Sequence, residues 1–156
     1  MTSTLNLWKG FANKPGGKWA FSRLLCVKAP YFGSISPVFE ELRPEYCEVR
    51  IAKRRGVLNH LGTVHAIAMC NMAELAGGTM TEVTVPTTHR WIPKGMTVQY
   101  LKKAIGTQRA VATPVIPLVA SDSGYELPVN VDVFDPAGER VFNAEIRMWV
   151  SPLPKR

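Results

Sequence analysis

Glu74 is the one carboxylate in an apolar stretch, Val64 to Ala76, of a segment that begins with the polar cluster Asn59, His60 and His65. A carboxylate can act as a general base or attack directly as a nucleophile, and a histidine can carry a proton near neutral pH. An acid on a buried helix is costly unless it is hydrogen-bonded, paired or kept for chemistry. If the stretch is one helix, the separation of His65 and Glu74 is about 13 Å of rise and about 180° of rotation. The two cannot then meet at one reacting atom. A site that uses both requires two helices from two chains.

The elements that must position them can be read around this stretch. The helix is apolar on nearly every face, which places it inside a core. Gly77 and Gly78 stand where a left-handed cap would end it. Residues 1–33 read as a helical flank: Leu5, Leu7, Trp8 and Phe11 form one turn or helix, Gly16 and Gly17 interrupt it, and residues 18–27 resume helical spacing until Pro30. From Ile35 the texture is strand, with runs at 36–42 and 45–53 before the helix. After the helix come runs at 81–86, 91–104, 107–119, 125–134 and 140–150. Pro114 and Pro117 mark the run 107–119 as an edge or bulged strand. Asp135 to Gly138 have the chemistry of a hairpin turn. Leu127, Val129, Val131 and Val133 share one face of their run, as do Phe142, Ala144, Ile146, Met148 and Val150 of the next. This order is α+β, a curved antiparallel sheet wrapped around one long central helix with an N-terminal helical flank. A meander of this kind leaves an unpaired edge, which a second subunit commonly satisfies.

Composition narrows the class. The 156 residues are 46% hydrophobic and 20% charged, as in one ordinary globular domain. No apolar run approaches the roughly 20 residues needed to cross a bilayer, and the first residues lack signal-peptide chemistry. Cys26, Cys47 and Cys70 are odd in number and far apart, which fits reduced thiols in a cytoplasmic protein, with Cys70 as a small core residue. The net charge of +7 is scattered over the chain rather than gathered into a basic arm. It therefore points to a solvated surface or a small phosphate-bearing ligand, and not to nucleic acid. No membrane partner is expected. His60, His65 and His89 lack a metal-binding spacing, and no dinucleotide, P-loop or Gly-x-Ser-x-Gly pattern occurs.

The element order and the string Asn59…His65-Ala66…Glu74 resemble the hotdog-fold thioesterases, in particular the phenylacetate-degradation type and an uncharacterised branch of that superfamily. The resemblance in organisation covers roughly Ile35 to Leu153, and its specific motif lies within about twenty residues. It implies a hotdog fold, at least dimeric and possibly tetrameric, that hydrolyses an acyl-CoA thioester. No cofactor is implied beyond the coenzyme A of the substrate. Glu74 stands at the family's acid and His65 at its histidine, with Asn59 upstream. Where the family has two glycines this chain has Ala66 and Ile67. Alanine keeps the backbone N–H that would polarise the carbonyl, and isoleucine narrows or shifts the acyl pocket. Asn59, His60 and Asn71 are expected to line the substrate position with them. The implied chemistry needs an oxyanion donor and a base, and a helix N-terminus and Glu74 supply these.

Each of these residues also has a structural reading. Glu74 can be an acid hydrogen-bonded to Asn71, His65 a helix-start residue with a local bond, and Asn59 a turn residue. Two other functions stay open. Ile67 favours a non-catalytic acyl-thioester or lipid-binding protein. His60, fourteen positions before Glu74, is spaced similarly to the histidine of hotdog-fold dehydratases, although that family's Gly-His-Phe-Pro string is absent.

Overall fold

The computed structural model describes residues 2–119 and 121–154. Among these are three α-helices, α1 (Ser3–Phe11), α2 (Gly17–Lys28) and α3 (Ala66–Thr84). Six strands accompany them, β1 (Val38–Arg43), β2 (Tyr46–Ile51), β3 (His89–Tyr100), β4 (Gln108–Pro114), β5 (Tyr125–Phe134) and β6 (Arg140–Pro152). The strands form one antiparallel sheet in the order β1-β2-β4-β5-β6-β3, and α3 packs across its concave face. This is the curved sheet around one helix that the sequence leads one to expect.

Strand patterning makes the core. Leu127, Val129, Val131 and Val133 of β5 and Phe142, Ala144, Ile146, Met148 and Val150 of β6 are all buried, while the residues between them are half-buried or exposed. They meet Met72, Leu75, Ala76 and Met80 of α3, also buried. Each of these side chains larger than alanine contributes roughly 1.5–3 kcal/mol when taken from water, before entropy is counted. The hairpin at Asp135 forms as expected, with the Gly138 N–H donating to the Asp135 carbonyl at 3.0 Å.

The end of α3 differs from expectation. Gly77 and Gly78 do not cap it; the helix runs on through them to Thr84, and the stretch 81–86 is its last turn and exit rather than a strand. The glycines serve close approach instead. A Cβ on Gly77 would lie 2.9 Å from Ile146 Cδ1, and one on Gly78 would lie 3.0 Å from Trp91 Cη2. What stops the helix is Pro86, because the residue before a proline is driven to extended backbone, as Val85 is here. The added turn brings a second carboxylate, Glu82, onto α3.

The proline-marked run also differs. β4 is an interior strand between β2 and β5, and it ends at Pro114. The sheet edges are β1 and β3.

The N-terminal flank is fastened to β1. Trp8, Phe21 and Phe39 form an aromatic cluster with centroids 5.1 Å apart for Trp8–Phe21 and 5.2 Å for Phe21–Phe39, both edge-on. Ser22, buried on α2, accepts the Phe39 N–H at 2.9 Å. Glu40 takes Arg50 at 2.8 Å and Lys18 at 3.4 Å, joining α2, β1 and β2. Partial burial pushes the Glu40 carboxyl up, but the hydrogen bonds and charges of Arg50 and Lys18 outweigh it and hold the group below its ordinary value.

The three cysteines are free thiols. Cys26 and Cys47 are buried, and burial raises both. Cys70 is half-buried rather than in the core, with its Sγ 3.3 Å from the Tyr100 hydroxyl. Among the described residues no helix is long and apolar enough to cross a membrane.

Candidate active site

α3 presents most of its surface to the sheet, and beyond its first turn, where Ile67 is exposed, Glu74 is the one exposed residue. The residues on either side, Ala73 and Leu75, are buried while Glu74 is exposed. The acid therefore bears no burial cost in the single chain. It lines a cavity of about 360 Å³, within the range of small-molecule sites. The helix supplies Glu74, Leu75, Gly78, Thr79 and Glu82; β3 supplies Trp91 and Pro93. The opposite wall is Thr4 of α1, Leu25 and Lys28 of α2, and Ala29 and Phe32 beyond it. The lining is mostly apolar with two carboxylates, one ammonium and hydroxyls at its margin.

Trp91 is the fixed floor. Its ring lies against the Cα of Gly78, and its Nε1–H donates to Glu82 Oε2 at 2.8 Å. Glu74, Gly78 and Glu82 are spaced by four, so they share one face of α3. The sequence reading missed Glu82 because it ended the helix too early. Their spacing of eight was the signal that could have found it.

The start of α3 is built from the loop before it. Asn59 organises that loop: its Oδ1 accepts the N–H of Leu61 at 3.0 Å and of Thr63 at 3.2 Å, and its Nδ2 donates to Thr63 Oγ1 at 2.9 Å. The side chain is thus engaged within the loop. His60 is exposed there. His65 is the N-cap, with Nδ1 accepting the Ile67 N–H at 3.1 Å. The N–H of Ala66 and of Ala68 remain among those a helix start leaves without a carbonyl of its own. Ile67 is 55% exposed and stands outward at this end.

Asn71 is buried, and its Nδ2 donates to Ser34 Oγ at 3.1 Å rather than to Glu74. Its Oδ1 is buried without a partner among the described residues. The two ends of α3 are tied to opposite ends of β3, Cys70 to Tyr100 near the start and Gly78 to Trp91 further on. The Tyr100 phenol is pushed up to about 12, first by its hydrogen bond with Cys70 and then by burial. His65 and Glu74 are not brought together within the chain; both belong to one continuous helix, with His65 as its cap. Among the described residues no group of three or more His, Cys, Asp or Glu is placed to hold a metal ion.

The chain matches, over residues 17–150, the family described as a domain of unknown function, DUF4442. No curated protein matches it. A structural-genomics crystal structure, APC5556, is 47% identical, with 96% of this chain and 98% of that chain covered and a TM-score of 0.81. The thioesterase HI1161 from Haemophilus influenzae is 13% identical, with 85% and 90% covered and a TM-score of 0.72. BH2602 from Bacillus halodurans, crystallised with CoA, is 24% identical, with 66% of each chain covered and a TM-score of 0.58. The family model over residues 17–150 makes this chain a member of the DUF4442 family, and its sheet curved around one central helix, matched by these structures, is the hotdog fold.

Proposed function

We propose that the protein is an acyl-CoA thioesterase whose site forms between two copies of the chain. The observation that carries this reading is Glu74, an exposed carboxylate between buried neighbours on the central helix, at the wall of a largely apolar cavity. A thioester needs an apolar slot for its acyl group, a base or nucleophile at the carbonyl carbon, and donors for the developing oxyanion. The cavity and Glu74 supply the first two. The donors are the N–H groups at the start of a second α3, from Ala66 and Ala68, since His65 already takes that of Ile67.

The arrangement of β3 supports a two-chain site. It is a twelve-residue edge strand bonded to β6 alone, and Met96 and Tyr100 on its helix-facing side stay exposed. Such an edge is a template for pairing. Pairing two β3 strands antiparallel about their middles sets the Tyr100 end of one beside the Trp91 end of the other. The first end carries a helix start and the second carries Glu74 and the cavity. In this reading His65 positions the helix start, and Asn59 holds the loop that leads to it. The coenzyme A bound to BH2602 agrees with an acyl-CoA substrate.

The test is a hydrolysis panel of acyl-CoA esters of graded chain length and aromatic character, with wild type and Glu74→Gln. Turnover by wild type alone supports the reading. Binding of one ester by both, with turnover by neither, replaces it with the non-catalytic reading that the bulk of Ile67 favours.

A further inference from the structure

The helical flank carries a surface that the acyl-CoA site does not use. Residues 2–39 contain Lys9, Lys14, Lys18, Arg23 and Lys28 and no aspartate or glutamate; Glu40 is the first acid of the chain. α2 buries Phe21, Ser22 and Cys26 against the body, yet its outward stripe is apolar as well. Trp19 is 60% exposed, Val27 80% and Tyr31, just past the helix, 71%, with Leu24 exposed beside them. Trp19 and Val27 are eight positions apart and so share a face. Arg23, between them, lies 6.0 Å from the Trp19 ring. A helix apolar on both faces is ordinarily enclosed. This one is at the surface, with Lys18, Arg23 and Lys28 along it.

We propose that this flank docks on an anionic lipid bilayer surface. Exposed tryptophan, tyrosine and aliphatic side chains among lysines and arginines are what an interfacial helix presents to the headgroup boundary. Charge selects the occupant. A second copy of the flank would bring further cations, with Glu40, already paired to Lys18 and Arg50, the nearest acid in sequence, whereas an anionic leaflet attracts the net positive charge. Spanning is not involved, since adsorption leaves the helix lying in the plane of the interface.

The position of the flank gives docking a consequence. A groove of about 240 Å³ between α1 and α2 opens at Leu7 and Leu24, both exposed, and reaches Thr4, Leu25 and Lys28. Those last three residues also line the Glu74 cavity. A docked flank therefore sets a partly apolar path between the lipid phase and that cavity. The use of this path for acyl chains rests on the thioesterase reading; adsorption itself does not.

Co-sedimentation with vesicles tests adsorption directly. Wild type is expected to sediment with vesicles containing phosphatidylglycerol, to leave pure phosphatidylcholine vesicles largely unbound, and to be released by added salt. Val27→Ser should weaken binding by roughly tenfold through lost apolar contact. Lys14→Ala should weaken it by about fivefold through one lost charge. Both positions are exposed, so an unchanged circular dichroism spectrum confirms that the variants are folded. Equal binding to both vesicle types, or to neither, overturns the proposal. So does a fall in sedimentation mass of Val27→Ser in the absence of lipid, because a second copy then covers the face.

Discussion

The imidazole of His65 takes the N–H of Ile67 at 3.1 Å, so the residue that heads α3 is joined to the helix it starts. His65→Ala should lower stability by about 1 kcal/mol, the usual worth of an N-cap. His65→Asn keeps a capping acceptor and should recover most of that loss. If capping is the residue's whole contribution, the hydrolysis rate of His65→Asn stays within a few-fold of wild type. A collapse of kcat in a variant of normal stability would instead give the imidazole a part in the chemistry.

Glu74→Gln should cut acyl-CoA hydrolysis by about a hundredfold or more, as removal of a general base or nucleophile does. The thermal midpoint should barely move, because the side chain is exposed and surface substitutions usually stay within about 0.5 kcal/mol. A structural acid gives the reverse pattern, a lower midpoint with activity per folded molecule preserved.

Met96→Asp places a charge on the exposed, helix-facing row of the β3 edge. Ultracentrifugation should show a smaller assembly than wild type, and hydrolysis should fall with it although Glu74 is untouched. A variant that keeps both mass and activity would remove the two-chain site.

Trp91→Phe deletes both the N–H that Glu82 accepts and the outer indole carbons that lie against Gly78. The expected cost, read from urea denaturation, exceeds that of one hydrogen bond, about 0.5–1.5 kcal/mol, because the packing on Gly78 is lost with it. Gly78→Val goes further, since a Cβ there already stands 3.0 Å from Trp91 Cη2. Displacing the indole should cost roughly 1–3 kcal/mol and raise KM for the longest acyl groups before the shortest.

Glu40 gives the pH dependence. Its carboxyl is held below its ordinary value in the folded chain, so it binds a proton less readily folded than unfolded. Its contribution to stability is therefore full above the unfolded carboxylate value and is lost as pH falls through the lower, folded one. In denaturation across the acid range, wild type and Glu40→Gln should differ most near neutrality and converge at the acid end. Curves that stay parallel down to the lowest pH would show that the Arg50 and Lys18 contacts carry no net stabilisation.

Much of the fold was legible because strand alternation and helix period are direct images of burial. The inward residues of β5 and β6 could be named from the chain alone, as could the flank and its breaks at Gly16 and Pro30. Gly77 and Gly78 misled for a physical reason. Glycine is favoured both where a helix must end and where one must pass close to a neighbour, and only the positions of Ile146 and Trp91 distinguish the two. Missing that, the reading lost the last two turns of α3, Glu82 with them, and supplied a strand in their place. Glu74 was recognised as anomalous, but a sequence does not say whether an acid on an apolar helix is enclosed or looks out through a gap. That depends on where α1 and α2 lie, and they lie far from it in sequence.

The glycine pair also limits how this protein can diverge. On one side of α3 an added methyl meets Ile146, on the other it meets the Trp91 indole, so the floor of the cavity has no neighbouring sequence to drift toward. The opposite wall, Leu25, Ala29 and Phe32, belongs to a flank fastened to β1 by an aromatic cluster, the Ser22 hydrogen bond and an ionic knot. Relatives that differ in the guest they accept should therefore differ in that wall, and keep the helix beneath it nearly unchanged.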